Sequence, residues 1–169
     1  MLDLSVIVEG EFYVKFHLTN KIDKFRFRWI LMAVYGPAQD DFKSSFLAEL
    51  VRACQQNELP TLVGGDFNIL RHSGEKNNTR FNDRWPFLFN AVIDSFDLRE
   101  IELTDRQFTC ANSLPIPTYE KLDRVLMSTE WEFKYPLVAV QALDRGVSDH
   151  TPLLLDTGTA RILGGSEAF

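Results

Sequence analysis

The longest run of consecutive apolar residues, Trp29 to Tyr35, constrains the fold most. It is too short to cross a bilayer, which takes about 20 residues as a helix. The stretch before it alternates, with Phe25, Phe27 and Trp29 on one side, and Gly36-Pro37 closes it. A strand that begins by alternating and ends continuously apolar is expected at the centre of a sheet, buried on both faces. The glycine-proline pair stops it and turns the chain.

The flanking segments supply the rest of an α/β pattern. Leu4 to Glu9 and Phe12 to Leu18 read as strands joined at Gly10, with a polar turn at Thr19 to Asp23. Asp40 or Asp41 can cap a helix whose stripe is Phe42, Phe46, Leu47, Leu50, Val51 and Cys54, and Pro60 ends it. Leu62-Val63 forms a short buried strand. Asn82 or Asp83 caps a second helix with Pro86 in its first turn and Trp85, Leu88, Phe89, Val92 and Phe96 on its buried face. Short strands follow at Phe108 to Ala111, Leu122 to Met127, Pro136 to Gln141 and Pro152 to Leu155. Strict βαβ alternation is missing, so a two-sheet α/β sandwich with helices outside is expected over a doubly wound sheet. At 169 residues one domain is expected, spanning 1–156, with 157–169 as a tail or linker.

A hydrophobic fraction of 45% excludes a disordered chain. The two cysteines make no disulfide framework. Cys54 falls on a helix stripe and is expected buried and reduced, which suits an intracellular location, nuclear or cytoplasmic. The start, Met1-Leu2-Asp3-Leu4, has no basic patch before an apolar stretch, so secretion is not expected, and no segment reaches membrane-spanning length. A net charge of −6 argues against a general nucleic-acid binder, but it does not exclude a nuclease, since clustered acids are what a metal site needs. One segment runs the other way: Arg71, His72, Lys76, Arg80 and Arg84 stand against Glu75 and Asp83. It reads either as a solvated surface loop or as a loop in which Arg71, Lys76 and Arg80 contact nucleic-acid phosphates.

Three polar clusters sit beside apolar runs. In Gly64-Gly65-Asp66-Phe67-Asn68 an extended chain with Phe67 toward the core aims Asp66 and Asn68 the same way. An acid and an amide on one spot can accept a water's proton and orient a phosphate. The same residues also make a turn. Ser148-Asp149-His150-Thr151 offers a hard oxygen ligand beside a titratable donor, or simply a polar loop entering a strand. Asp123, between Leu122 and Arg124 in an apolar strand, needs solvent or a partner: a histidine held by it fits, and neighbouring Arg124 is the alternative, although adjacent strand residues point to opposite faces. Tyr35, ending the central strand, either places its hydroxyl on the same rim or serves the core or the turn before Gly36-Pro37.

In order, Val34-Tyr35-Gly36-Pro37, Gly64 to Asn68, Phe108-Thr109, Leu122 to Leu126 and Ser148-Asp149-His150 resemble the endonuclease/exonuclease/phosphatase superfamily. The resemblance is greatest to the endonuclease domains of plant LINE-type (non-LTR) retrotransposons, and it runs from about Phe12 to Asp156. It implies a four-layer α/β/β/α sandwich of two mixed sheets and Mg²⁺-dependent phosphodiester hydrolysis, with Mn²⁺ as an alternative ion. By resemblance, Asp66 positions or deprotonates the attacking water, and Asn68 orients water and phosphate. His150 contacts the scissile phosphate and is held by Asp123. Asp149, with Asp66 and Asn68, binds the metal, and Tyr35 touches phosphate or assists the leaving group. DNA is the expected substrate, and a linked reverse transcriptase is the expected partner in a parent element.

The resemblance also carries departures. Such enzymes begin with an asparagine-bearing strand and then a strand ending in a glutamate ligand, and neither is visible here. Glu9 and Glu11, flanking Gly10, are poor replacements. Ala38 and Cys110 stand where relatives place asparagine and tryptophan. An N-terminally truncated and impaired enzyme is therefore expected. Two other readings fit the same residues: a non-catalytic remnant that serves as a binding module, and a phosphatase on the same fold.

Overall fold

The computed structural model describes residues 2–21, 26–112, 114–146 and 148–158. In chain order the strands and helices are β1 (Leu2–Glu9), β2 (Tyr13–Asn20), β3 (Arg28–Tyr35), α1 (Asp40–Gln55), β4 (Thr61–Asp66), α2 (Arg84–Ser95), β5 (Leu98–Glu100), β6 (Cys110–Ala111), β7 (Tyr119–Glu120), β8 (Asp123–Ser128), α3 (Thr129–Lys134), β9 (Ala139–Ala142) and β10 (Leu153–Asp156). Six strands join in one sheet in the order β1-β2-β3-β4-β8-β5. Only β3 and β4 run parallel, joined through α1, and the other neighbours are antiparallel. The sheet is mixed, as expected of an α/β sandwich. No helix among the described residues is long and apolar enough to cross a membrane.

The apolar run is the middle of this sheet. In β3, Trp29, Ile30, Met32 and Val34 are buried between β2 and β4. Met32 and Val34 face α1 and α2 in a core with Phe46, Leu50, Phe67, Phe89 and Ile93. Trp29 belongs to a second core on the opposite face, with Leu62, Met127, Trp131 and Val140. There β9 and β10 pair as a small second sheet, and Leu153 and Leu155 pack toward the large one. Between the sheets lies a cavity of about 560 Å³, bordered by Trp29, Leu31, Leu62, Val125 and Leu155 at one end and by Asp123 and His150 at the other.

Several local expectations change. Phe42 and Leu88 are 53% and 39% exposed, so each helix buries a narrower stripe than its apolar residues suggest. At α1 neither Asp40 nor Asp41 is the cap, since Gln39 precedes the helix without a side-chain bond; at α2 Asp83 makes no such bond, and it is the Asn82 side chain that accepts the Arg84 N–H at 3.0 Å. Strand β3 begins at Arg28, and the expected start at Phe25 lies outside the described residues, as does the tail from 159 onward. The short elements β5, β7 and α3 have too few residues to show periodicity. Only α3 carries a boundary signal, the Ser128 hydroxyl accepting the Trp131 N–H at 3.4 Å. Cys54 is buried and free, as its place on the stripe predicts.

Candidate active site

Strands β3 and β4 end side by side, with Tyr35 opposite Asp66. Two glycines allow this. A Cβ on Gly65 would lie 2.1 Å from the Val34 carbonyl oxygen, and its φ of 144° strains any other residue. A Cβ on Gly36 would lie 2.2 Å from the Phe67 carbonyl oxygen. Past β4 the chain stays pinned from below. Phe67 and Ile69 are buried in the helical core, with Phe67 between the rings of Phe46 and Phe89. Asp66 and Asn68 are therefore left to face one spot. They meet through a turn rather than through strand alternation: Asn68 is left-handed at φ 49°, beyond the strand end. Its backbone N–H donates to Asp66 Oδ1 at 2.9 Å, and its amide donates to Asp66 Oδ2 at 2.7 Å. The second amide hydrogen goes to the Gly36 carbonyl at 2.9 Å. Both hydrogens are used, so Oδ1 is the Asn68 atom left for water or a cation.

Asp123 arrives from the neighbouring strand, directly opposite Asp66 in the β4–β8 register. Its backbone N–H and that of Leu122 both donate to the Thr109 hydroxyl, at 3.0 and 3.1 Å, and Thr109 is fully buried. Thr109 also zips to the third segment: the Thr151 N–H donates to its carbonyl at 2.8 Å, and the Ala111 N–H donates to that of Asp149 at 3.1 Å. Ser148 accepts the His150 N–H at 3.1 Å. This ladder brings His150 Nδ1 to 2.9 Å from Asp123 Oδ2. A carboxylate only accepts, so Nδ1–H donates and Nε2 points onward. Nε2 lies 3.8 Å from Asp66 Oδ2 and 3.8 Å from Cys110 Sγ. Two overlapping sets of donor atoms result, Asp66–Asp123–His150 and Cys110–Asp149–His150, each able to hold a metal ion.

The electrostatics follow from crowding. Burial raises the Asp66 carboxyl above its ordinary value, and neighbouring Asp123 adds to this against the hydrogen bonds from Asn68. Burial works against a charged His150, but the hydrogen bond and charge of Asp123, with Asp66 and Asp149, outweigh it and raise the imidazole. Burial and the same acids push the Cys110 thiol up to about 11.

The other expected residues are placed as follows. Tyr35 is 72% exposed on the rim. Asp149 is exposed beside Cys110. Arg71 is turned inward, with Nε on Asn90 at 2.8 Å and Nη1 on Glu100 at 2.9 Å. Lys76 pairs with Glu120 at 2.8 Å. Arg80 makes no ion pair among the described residues, and it shares with Lys43, Lys76 and Asn68 the lining of a cleft of about 340 Å³. Glu9 aligns with Val14, Ala33 and then Gly64 across the sheet. Three strand spacings of about 4.8 Å put it roughly 14 Å from β4. Arg124 does not pair with Asp123. It is fully buried beneath the site, bidentate to Glu75 at 3.0 Å and bound to Glu100 at 3.0 Å. The sequence carries no local signal for this cluster, and for Thr109 the Phe108-Thr109 pair is the one signal it offers.

The sequence profile of the Endonuclease/Exonuclease/phosphatase family matches residues 4–150. Among solved structures, the chain is similar to the endonuclease domain of TRAS1, a telomere-specific non-LTR retrotransposon. Identity is 13%, the TM-score is 0.72, and 92% of this chain and 68% of that one are covered. AP endonuclease LMAP from Leishmania major aligns with 13% identity and a TM-score of 0.62, over 86% of this chain and 54% of that one. Truncated Caenorhabditis elegans TDP2 aligns with 14% identity and a TM-score of 0.56, over 90% and 66%. At such identities the likeness is one of fold, and this chain spans only part of each structure's length. No curated protein matches the sequence significantly. The match over residues 4–150, on a mixed sheet that delivers Asp66, Asn68, Asp123 and His150 to one place, shows that the chain belongs to the endonuclease/exonuclease/phosphatase family.

Proposed function

We propose that this chain hydrolyses phosphodiester bonds in DNA, as a Mg²⁺-dependent endonuclease of the retrotransposon type. The observation that carries this reading is the convergence of an Asp–Asn pair and an Asp–His pair, with Asp66 Oδ2 3.8 Å from His150 Nε2. The retrotransposon endonuclease and AP endonuclease among similar folds support it.

Asp66, buried and raised, takes the proton of the attacking water. Asn68, locked by its two amide bonds, presents Oδ1 to orient that water. His150 Nε2–H donates to the scissile phosphate, and Asp123 fixes the ring so that this donor is aimed without reorganisation. Tyr35 reaches the phosphate or leaving group from the rim. The oxygen donors Asp66, Asp149 and Asn68 suit Mg²⁺, with Mn²⁺ as the alternative, and the ion would neutralise phosphate charge when bound. With two carboxylates and Glu9 out of reach, the ion is held weakly and turnover is slow. DNA follows the cleft lined by Lys43, Lys76 and Arg80, while Arg71 holds that loop in place. A linked reverse transcriptase in a parent element is consistent with this reading.

The test is supercoiled plasmid against a soluble phosphomonoester, each with Mg²⁺ and with chelator. Nicking of plasmid that chelation removes, without phosphate release from the monoester, is expected. Phosphate release without nicking would make the chain a phosphatase. Neither activity at any protein concentration would leave a binding module.

A further inference from the structure

Cys110 is not needed by the chemistry above, yet it points into it. It is partly exposed on β6, and β6 is zipped to the His150 segment through a bridge between Cys110 and His150 themselves. Its Sγ lies 3.8 Å from His150 Nε2, and the ligand atoms of Cys110, Asp149 and His150 all lie within 4.8 Å of one another.

We propose that Cys110, His150 and Asp149 form a binding site for a thiophilic divalent cation, Zn²⁺ by chemical class, which differs from the oxygen site used for hydrolysis by its sulfur and nitrogen donors and shares Asp149 with it. Three observations carry it. First, the donors are sulfur, imidazole nitrogen and carboxylate oxygen, the set that Zn²⁺ takes and Mg²⁺ does not. Second, the spacing is right. Tetrahedral Zn²⁺ with Zn–S of about 2.3 Å and Zn–N of about 2.05 Å holds sulfur and nitrogen about 3.6 Å apart. The observed 3.8 Å needs only a small closure. Third, the histidine is already prepared: Nδ1–H is donated to Asp123 at 2.9 Å, which fixes the ring and directs Nε2 toward Cys110. The two cysteines differ here, since Cys54 is buried in the helical core with no such neighbours. Binding releases the thiol proton to solvent as the Zn–S bond forms, and a fourth position stays open to water.

The site shares His150 and Asp149 with the proposed hydrolytic centre. A bound Zn²⁺ occupies the nitrogen that would contact phosphate, so it suppresses Mg²⁺-supported nicking. That consequence rests on the nuclease reading; the binding itself does not.

The experiment uses Co²⁺ as a spectroscopic probe of the full chain, with Zn²⁺ competition and a non-thiol reductant present. The expected result is a thiolate-to-metal charge-transfer band that saturates at one equivalent and is displaced by Zn²⁺. Cys110→Ser should lose the band and weaken Zn²⁺ by about tenfold or more, while Cys54→Ala keeps both. A wild-type Co²⁺ complex without the thiolate band would overturn the proposal and leave the sulfur–imidazole contact as a plain hydrogen bond. So would a Cys110→Ser chain that keeps wild-type Zn²⁺ affinity. Because both readouts are binding, neither outcome depends on whether the chain cuts DNA.

Discussion

Thr109 shows how one buried hydroxyl can govern a site it does not enter. It accepts two backbone N–H groups at the start of β8 and so sets where Asp123 begins. Thr109→Val leaves both donors without their acceptor, which costs about 1–3 kcal/mol. The expected result is that loss in denaturant titration together with weaker nicking, while Thr109→Ser restores both. A valine variant as stable as wild type would remove this role. At this scale the sequence was informative where residue type carried the chemistry. Asp123 stood out because an acid inside an apolar strand demands solvent or a partner, and the fold gives it His150 at 2.9 Å, whereas Asp66 and His150 stood out only as polar residues beside apolar runs. The way Asn68 reaches Asp66 was not, because a left-handed turn and a pleated strand both carry a Gly-Gly-Asp-x-Asn sequence. Arg124 was not either: its partners Glu75 and Glu100 come from loops and strands that only the fold brings together.

The elements differ sharply in what they contribute. Strand β1 lies at the sheet edge with all its described side chains exposed, while β3 buries Trp29, Ile30, Met32 and Val34. Ile7→Ala should change stability by no more than about 0.5 kcal/mol. Met32→Ala, at a fully buried position, should cost about 2–5 kcal/mol. Chemical denaturation of the two variants checks this, and equal losses would contradict the layering described here. Gly65→Ala tests the junction of β3 and β4. The clash with the Val34 carbonyl and the positive φ predict a loss of more than about 1 kcal/mol and a displaced Asp66, read as lower thermal stability with impaired nicking. The long elements α1, α2, β3 and β8 were visible in their periodicity. The strand expected at Phe108 to Ala111 holds β6, but its partner β7 was not visible, since that pairing is set by contacts across the chain rather than by local pattern.

Across the molecule, a buried charge network ties the parts that carry the site. Arg124 joins the loop of Glu75 to Glu100 on β5, and Arg71 and Lys121 complete it. Burial alone would raise Glu100, but Arg124, Lys121 and Arg71 outweigh it and hold the carboxyl down to about 2 from 4.5. Since the folded value is depressed, the stabilisation is full above the unfolded value and is lost as pH falls toward 2. At 1.36 kcal/mol per unit, its size is about 3 kcal/mol. The stability gap between wild type and Glu100→Gln should therefore narrow as the pH is lowered from about 5, and a gap independent of pH would contradict the assignment. This network positions the machinery but performs no chemistry. The central claim rests on the two pairs above it, and plasmid nicking with Mg²⁺ tests that claim most directly. Wild-type chain is predicted to nick, with Asp66→Ala and His150→Ala each slower by about 100-fold or more at unchanged fold. Variants that nick as fast as wild type would show that the cutting is done elsewhere.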